Sequence, residues 1–194
     1  MKQLSAIKSK NTISAIRVLL AAGPNGPRNE AIFILGINSA YRTGDLLNLT
    51  IGDLVENGKI KNRLALKEQK TQKSRQIALN DVTLKVLANY LKSRGAIKEL
   101  DPKDPFFPSS QTNTPMTRQQ FHKILKEVGK KLGLENFGPH SLRKTFGYHI
   151  FKASGNNISL VQKLLNHSSQ KVTLRYIGIE QEDLDDACLT LNLY

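Results

Sequence analysis

The sequence predicts an α+β fold that is mainly α-helical and carries one small antiparallel β-hairpin. Most apolar segments repeat their apolar residues three or four positions apart, which is the spacing of a helix face. Residues 58–66 and 74–79 instead alternate apolar and polar side chains, as half-buried strands do. The chain has 194 residues, of which 39% are hydrophobic, so it can build a core of its own.

The N-terminal part is predicted to hold two helices and a short third one. Residues 12–22 form an amphipathic helix, which the glycines and prolines of residues 23–27 bring to an end. Residues 28–40 give a second helix, which is so apolar that we expect it to be buried. Arg42 follows this helix, and residues 44–49 can form the short third helix.

The two alternating segments are predicted to pair as the β-hairpin. Its tip, residues 67–73, is basic and too polar for a core. Asp81 is expected to cap the next helix, which ends near Ser93. Residues 101–115 are rich in proline and are predicted to be irregular. Four more helices are expected. The first covers residues 118–131 and follows a capping box, and the others cover residues 142–154, 158–165 and 184–191.

The charge balance predicts a polyanionic partner. The formal net charge is +13 at pH 7, which favours nucleic acid first and an anionic membrane surface second. We find no apolar run of about 18 residues and no signal-peptide pattern, and this weakens the membrane interpretation. Residues 180–186 contain five acids and no base, so we expect this segment to meet protein or solvent rather than DNA. The single cysteine, Cys188, excludes an internal disulfide and fits a reducing cytoplasm.

Five polar side chains suggest chemistry on a phosphodiester. His140 and Arg143 are three residues apart, and His167 is followed nine residues later by Tyr176. Tyr176 is the candidate nucleophile. Arg42 and Arg143 are candidates to hold the phosphate oxygens through paired N–H donors. His140 can bind the phosphate and accept a proton, while His167 can donate to a phosphate oxygen.

The leaving 5′-oxygen needs an acid, and a lysine of the hairpin tip can provide it. Chemistry alone does not choose between Lys67, Lys70 and Lys73. A metal site is the competing interpretation of the two candidate histidines, but it would need a third ligand, and the neighbouring arginines disfavour a cation. The other histidines, His122 and His149, are expected to be structural.

This set of residues resembles the active site of the tyrosine recombinases, the family of phage integrases. The resemblance covers about residues 30–180, with the motifs in the family's order. Residues 70–79 are similar to the family's hairpin, in which the first lysine is the general acid, and this implies that role for Lys70. The family mechanism then implies a 3′-phosphotyrosyl link to Tyr176 and a free 5′-hydroxyl, with no metal or nucleotide cofactor.

The chain departs from the family pattern at several positions: residues 39–41, before Arg42, read Ser-Ala-Tyr where Thr-Gly-Leu is common, and two further departures lie near the site. Asn166 precedes the second histidine where the family usually has glycine, which puts the local backbone shape in question. Asp45 takes the position of the glutamate that usually supports the first arginine. None of these departures removes a catalytic group.

The resemblance also implies partners and boundaries. We expect one tyrosine recombinase catalytic domain over residues 1–194, with residues 1–11 as an N-terminal linker and 180–194 as an acidic C-terminal helix or tail. The N-terminal core-binding domain of most relatives is expected to be absent from this chain. Double-stranded DNA is the expected partner, with Lys67, Lys73, Arg75, Arg118 and Lys144 as DNA contacts.

On DNA we expect a homotetramer that is linked through residues 180–194, with packing of this segment on its own domain as the alternative. A bacterial or phage origin and a cytoplasmic location are expected, without membrane attachment. Two rival functions stay open at this point. One is a nicking-closing enzyme like the type IB topoisomerases, and the other is a non-catalytic DNA-binding regulator of the same fold.

Overall fold

The computed structural model describes residues 5–23, 25–67, 74–95, 100–179, 183, 185 and 188–191. The predicted class is confirmed, since the described part is mainly helical with small antiparallel sheets. Its helices are α1 (Lys10–Ala21), α2 (Gly26–Ile37), α3 (Thr43–Leu47), α4 (Ile51–Leu54), α5 (Asp81–Ser93), α6 (Arg118–Lys131), α7 (Pro139–Ala153), α8 (Ile158–Leu165) and α9 (Gln170–Ile177).

Two antiparallel strand pairs, not one, occur in the described part of the chain. β3 (Arg63–Lys67) pairs with β4 (Ser74–Ala78), which confirms the predicted hairpin. A shorter pair, β1 (Val55–Glu56) with β2 (Lys59–Ile60), precedes it. The sequence analysis had merged β2 and β3 into one strand, because the apolar alternation continues through the turn between them.

The larger core cluster surrounds α2, whose residues 31–35 are all buried as predicted. It also includes α1, α5, α6 and the buried pair Phe106 and Phe107, which anchor the otherwise irregular segment before α6. Tyr90 of α5 stacks on Phe107 with ring centroids 5.6 Å apart. The large core therefore holds α2 and the segment that follows it in a fixed position.

A smaller cluster joins the last helices to this body. Phe146 and Phe151 of α7, Val161 and Leu165 of α8 and Ile177 of α9 are buried together. Helix α9 was not predicted, although Ser169 is a favourable N-cap residue and its side chain accepts from the Val172 amide. This cluster fixes the positions of the segments that carry the candidate residues after number 140.

Some element boundaries differ from prediction because of capping. Asn80, rather than Asp81, caps α5, since its side chain accepts from the Thr83 amide at 2.9 Å.

The segment before α1, which was assigned to a linker, packs against α7. Ile7 is buried, its amide donates to Thr145 Oγ1 at 2.8 Å, and its carbonyl oxygen lies 2.9 Å from His149 Nε2.

Two predicted features fall wholly or partly outside the described residues. The hairpin tip is described only at Lys67, so the structural placement of Lys70 and Lys73 is not covered. The helix predicted over residues 184–191 is described only at isolated positions. In the described part of the chain, no helix has the length and apolar character that crossing a membrane requires.

Candidate active site

The first wall of the candidate site is the turn between α2 and α3. Arg42 is the N-cap residue of α3 and is half-buried. The preceding Tyr41 is buried and donates to the carbonyl oxygens of Leu64 and Arg75, at 3.0 and 2.5 Å. Arg42 is therefore attached to a residue that both strands of the hairpin hold in place.

The N-terminal end of α7 forms the second wall. Pro139 begins the helix, so His140 lies in its first turn and Arg143 follows one turn later. Arg143 is buried, and its Nη2 donates to the Leu165 carbonyl oxygen at 2.6 Å. A cleft of about 370 Å³ lies between this helix and α3 and is lined by residues that include Arg42, Arg118 and His140.

The third wall is the turn from α8 to α9. Asn166 ends α8 in the left-handed conformation, with φ 52° and ψ 45°. This is a backbone shape in which glycine is common and asparagine is tolerated. The departure from the family's glycine at this position therefore leaves the turn intact, and His167 follows it directly.

A hydrogen-bonded chain orients the His167 ring. Thr173 Oγ1 donates to the Ser169 carbonyl oxygen at 2.9 Å, and the same oxygen lies 3.2 Å from His167 Nδ1. Because the threonine proton is used, the geometry favours Nδ1–H as the donor of the second bond. In that neutral tautomer, Nε2 is an acceptor and becomes a donor only after it gains a proton. The sequence analysis did not identify Thr173.

Tyr176 lies on α9 beside this histidine. The two rings are edge to face, with centroids 4.8 Å apart. The ammonium of Lys144 lies 5.3 Å from the centroid of the Tyr176 ring. The phenol is therefore bordered by an imidazole and a cation, and both come from segments that the smaller core cluster anchors.

The positive charges of Arg42 and Arg143 affect the pKa values of the same three side chains, His140, His167 and Tyr176. Partial desolvation, followed by the charges of Arg143 and Arg42, lowers the pKa of His167 to about 4. Burial raises the pKa of the Tyr176 phenol, and Arg143 and Arg42 oppose that rise. Desolvation and the charges of nearby cations, which include both arginines, also lower the pKa of His140. The charges of Arg42 and Arg143 thus both act on His140, His167 and Tyr176.

Asp45, the predicted supporting acid, is buried in α3 one turn after Arg42. Its amide donates to the Arg42 carbonyl oxygen at 2.9 Å. Arg118, a predicted DNA contact, is exposed at the start of α6, and its side chain borders Gly44. It shares the cleft with Arg42, so its position agrees with a role in holding an anion.

Two of the predicted DNA contacts, Arg75 and Lys144, also contact other parts of the protein. Arg75 turns into the protein, where it donates to the carbonyl oxygens of Leu164 and of Ala40, the latter at 2.8 Å, and lies over the Tyr41 ring. Lys144 is buried against Tyr176 and is not on an open face. The sequence predicts DNA contact because both residues are basic, whereas these protein contacts depend on packing between distant segments.

In the described ranges, no group of three or more His, Cys, Asp or Glu side chains is arranged to hold a metal ion. His149 contacts the backbone of Ile7 and lies away from the candidate residues, as its structural assignment expects. Lys67 is exposed at the end of β3.

The fold and this cluster define a tyrosine recombinase catalytic domain, and the comparisons with known proteins agree. A profile described as the phage integrase family matches residues 8–182. The chain belongs to this family.

The similar proteins include recombinases of bacteria. The protein named probable integrase/recombinase YoeC of Bacillus subtilis is 39% identical over 80% of this chain and 80% of its own length. Tyrosine recombinase XerD of Rickettsia conorii is 30% identical over 86% of this chain and 56% of its own length. The XerH site-specific recombinase, in a post-cleavage complex with a palindromic difH substrate, superposes with a TM-score of 0.74 at 22% identity, over 95% of this chain and 52% of that chain. The chain thus spans about half the length of XerD and of XerH.

Proposed function

We propose that this chain is a site-specific DNA recombinase that cleaves and rejoins strands through a 3′-phosphotyrosyl intermediate. The observation that carries the proposal is the edge-to-face contact of His167 with Tyr176, together with the cleft that Arg42 shares with His140, whose helix also carries Arg143. Paired guanidiniums are suited to the charge that develops on phosphate oxygens in the transition state. The cluster offers a nucleophile and anion donors together.

In the proposed mechanism, Tyr176 attacks the phosphorus and gives its hydroxyl proton to the neutral imidazole of His140, while Arg42 and Arg143 bind the non-bridging oxygens. The negative phosphate raises the pKa of His167, so that the ring gains a proton and donates from Nε2. Lys70 of the hairpin tip protonates the leaving 5′-oxygen. The phosphotyrosyl bond keeps the energy of the broken bond, and a 5′-hydroxyl from a second strand reverses the reaction.

Double-stranded DNA is the proposed partner. The net charge of +13 and the basic cleft residues support it, and the named structural relative is bound to a palindromic difH substrate. We place the protein in a bacterial cytoplasm, as its bacterial relatives and the lone cysteine suggest.

For assembly we propose a homotetramer on DNA in which the C-terminal segment reaches a neighbouring copy. An apolar groove of about 510 Å³ between β4, α7 and α8 could accept it. In the single chain, however, Asp183 forms ion pairs with Lys8 at 3.0 Å and Lys152 at 3.2 Å. Truncation after Ile179 tests the exchange, because unchanged assembly and recombination by the shortened chain would rule it out.

The experiment for the function uses a supercoiled plasmid that carries two copies of a site selected from bound genomic fragments. We expect strand exchange between the sites, detected as recombinant circles. Relaxation without recombinants would instead favour a topoisomerase-like enzyme. Binding with neither product would favour a regulator of the same fold.

A further inference from the structure

Arg75 connects three segments that carry candidate residues. It lies on β4, whose hairpin contains Lys67 and Lys70. Its Nη2 donates to the Ala40 carbonyl oxygen at 2.8 Å, two residues before Arg42, and its Nη1 donates to the Leu164 carbonyl oxygen in the last turn of α8. The two contacts are 35 and 89 residues away along the chain.

The contact with α8 completes the end of that helix. The last four carbonyl groups of a helix lack partners inside it. Here the Gln162 and Lys163 carbonyls accept from the amides of His167 and Asn166, at 3.1 and 3.2 Å. The Leu164 carbonyl accepts from Arg75, and the Leu165 carbonyl accepts from Arg143 at 2.6 Å. Two guanidiniums thus fix the turn that presents His167.

The Tyr41 ring adds a second contact between Arg75 and the segment that leads to Arg42. The Arg75 guanidinium carbon lies 4.8 Å from the centroid of the Tyr41 ring. The Tyr41 hydroxyl donates back to the Arg75 carbonyl oxygen at 2.5 Å and to that of Leu64 at 3.0 Å. Side chain and backbone of Arg75 therefore bind the residue next to Arg42 from two directions.

A lysine at position 75 cannot make the contacts of the Arg75 guanidinium. Arg75 makes two bonds in different directions while its plane lies over a ring, and this requires a planar guanidinium. A residue that only neutralised a phosphate would tolerate lysine, since that role needs charge and not shape.

We infer that Arg75 is a positioning residue, which holds the β3–β4 hairpin, the Arg42 segment and the His167 turn in one mutual arrangement. The effect of Arg75 on catalysis rests on the proposed function. The contacts by which Arg75 holds the three segments together do not depend on that function. The residue touches no reacting atom and acts through Arg42, His167 and the hairpin.

The test compares Arg75→Lys with Arg63→Lys, which changes an exposed arginine at the start of β3. Hydrogen–deuterium exchange is followed in peptides that cover residues 40–48 and 160–168, both far from residue 75 in sequence. We expect exchange to rise in both peptides of Arg75→Lys by roughly tenfold, the size expected for the loss of a charge-assisted hydrogen bond. Arg63→Lys should match the parent protein, and unchanged exchange in the two peptides of Arg75→Lys overturns the inference.

A second arm separates positioning from phosphate contact. Binding of Arg75→Ala to a random-sequence duplex is measured at several salt concentrations. We expect the slope of log affinity against log salt to be unchanged, whereas a slope that is smaller by about one would assign Arg75 to a phosphate and overturn the inference. If Arg75→Lys does not fold, Arg75→Gln, which also loses the planar guanidinium, carries the exchange test with the same two peptides and the same criterion.

A third arm measures covalent adduct formation on a nicked suicide substrate built from the selected site. Arg75→Lys should slow it by about 10- to 100-fold at nearly unchanged DNA affinity, because small misplacements of reacting groups cost that much. An unchanged rate overturns the inference. Failure of the parent protein to form any adduct would overturn the proposed function, and the exchange arm would still decide the role of Arg75.

Discussion

The His167 ring lies edge to face with the Tyr176 ring at 4.8 Å, although the two residues belong to different segments. His167 follows the left-handed residue that ends α8, and Tyr176 is near the end of α9. Their contact requires the turn between these helices to keep its shape. The first predictions concern what maintains that shape.

Thr173→Val should slow adduct formation by about tenfold, since a misoriented group near the reacting atoms is costly. The change keeps the size of the side chain but removes the oxygen that lies 3.2 Å from His167 Nδ1. Single-turnover trapping on the suicide substrate measures the rate. Thr173→Ser is the matched control, because it keeps the hydroxyl and should stay near the parent rate. Equal rates for the valine and serine variants would show that the hydroxyl does not orient His167.

Asn166→Val should lower the free energy of unfolding by about 1–2 kcal/mol, because a β-branched residue is strained in the left-handed region. Asn166→Gly should be at least as stable as the parent, since glycine adopts that region without strain. Urea unfolding of the three proteins gives the comparison. A valine variant as stable as the glycine variant would contradict the φ of 52° at this position.

Gly147→Ala should separate the helices that carry the site. A Cβ atom at this position would lie 2.7 Å from Ile177 Cγ2 and 3.1 Å from Leu165 Cδ1. We expect a loss of about 1–3 kcal/mol in the free energy of unfolding, as for other overpacked cores, with slower adduct formation. Gly129→Ala, whose nearest neighbour would be 3.3 Å away, is the control and should lose less. A smaller loss at Gly147 than at Gly129 would contradict this account of the packing.

His167 should make stability depend on pH. Its pKa is about 4 in the folded protein, below the ordinary value of 6.5. Between these pH values the unfolded chain binds a proton that the folded chain does not, so the free energy of unfolding falls as pH falls from 6.5 towards 4. Above pH 6.5 both states are neutral and the contribution is constant.

His167→Gln removes this proton uptake. The stability difference, parent minus variant, should therefore shrink as pH falls from 6.5 to 4 and stay level above 6.5. Urea unfolding at several pH values on both sides of 6.5 measures it. A difference that grows towards low pH would mean that His167 is more basic in the folded protein than in the unfolded one.

The sequence predicted those features that depend on local pattern. Helix α8 and the capping box of α6 follow from apolar spacing and from hydrogen bonds between near neighbours, and both are as predicted. The order of the candidate residues also came from sequence, through the family resemblance. The proximity of the candidate residues on α7, α8 and α9 became visible only when these helices were packed together.

The features that escaped prediction depend on contacts between distant segments. Arg75 was assigned to DNA because it is basic, yet its partners are backbone carbonyls 35 and 89 residues away. Lys144 was assigned likewise, but it lies over a ring 32 positions further along the chain. Contacts between residues that are far apart in the chain are not visible in composition or spacing, so neither set of contacts could be inferred from residue type.

The most direct measurement of the central claim is covalent trapping on the nicked suicide substrate, with mass mapping of the modified peptide. The account predicts that the parent protein becomes linked to a DNA 3′-phosphate through Tyr176. Tyr176→Phe should bind the same DNA with similar affinity and form no adduct. An adduct that persists in Tyr176→Phe, or a linkage mapped to another residue, would contradict the assignment of the nucleophile. No adduct from the parent protein on a site that it cuts would contradict the mechanism itself.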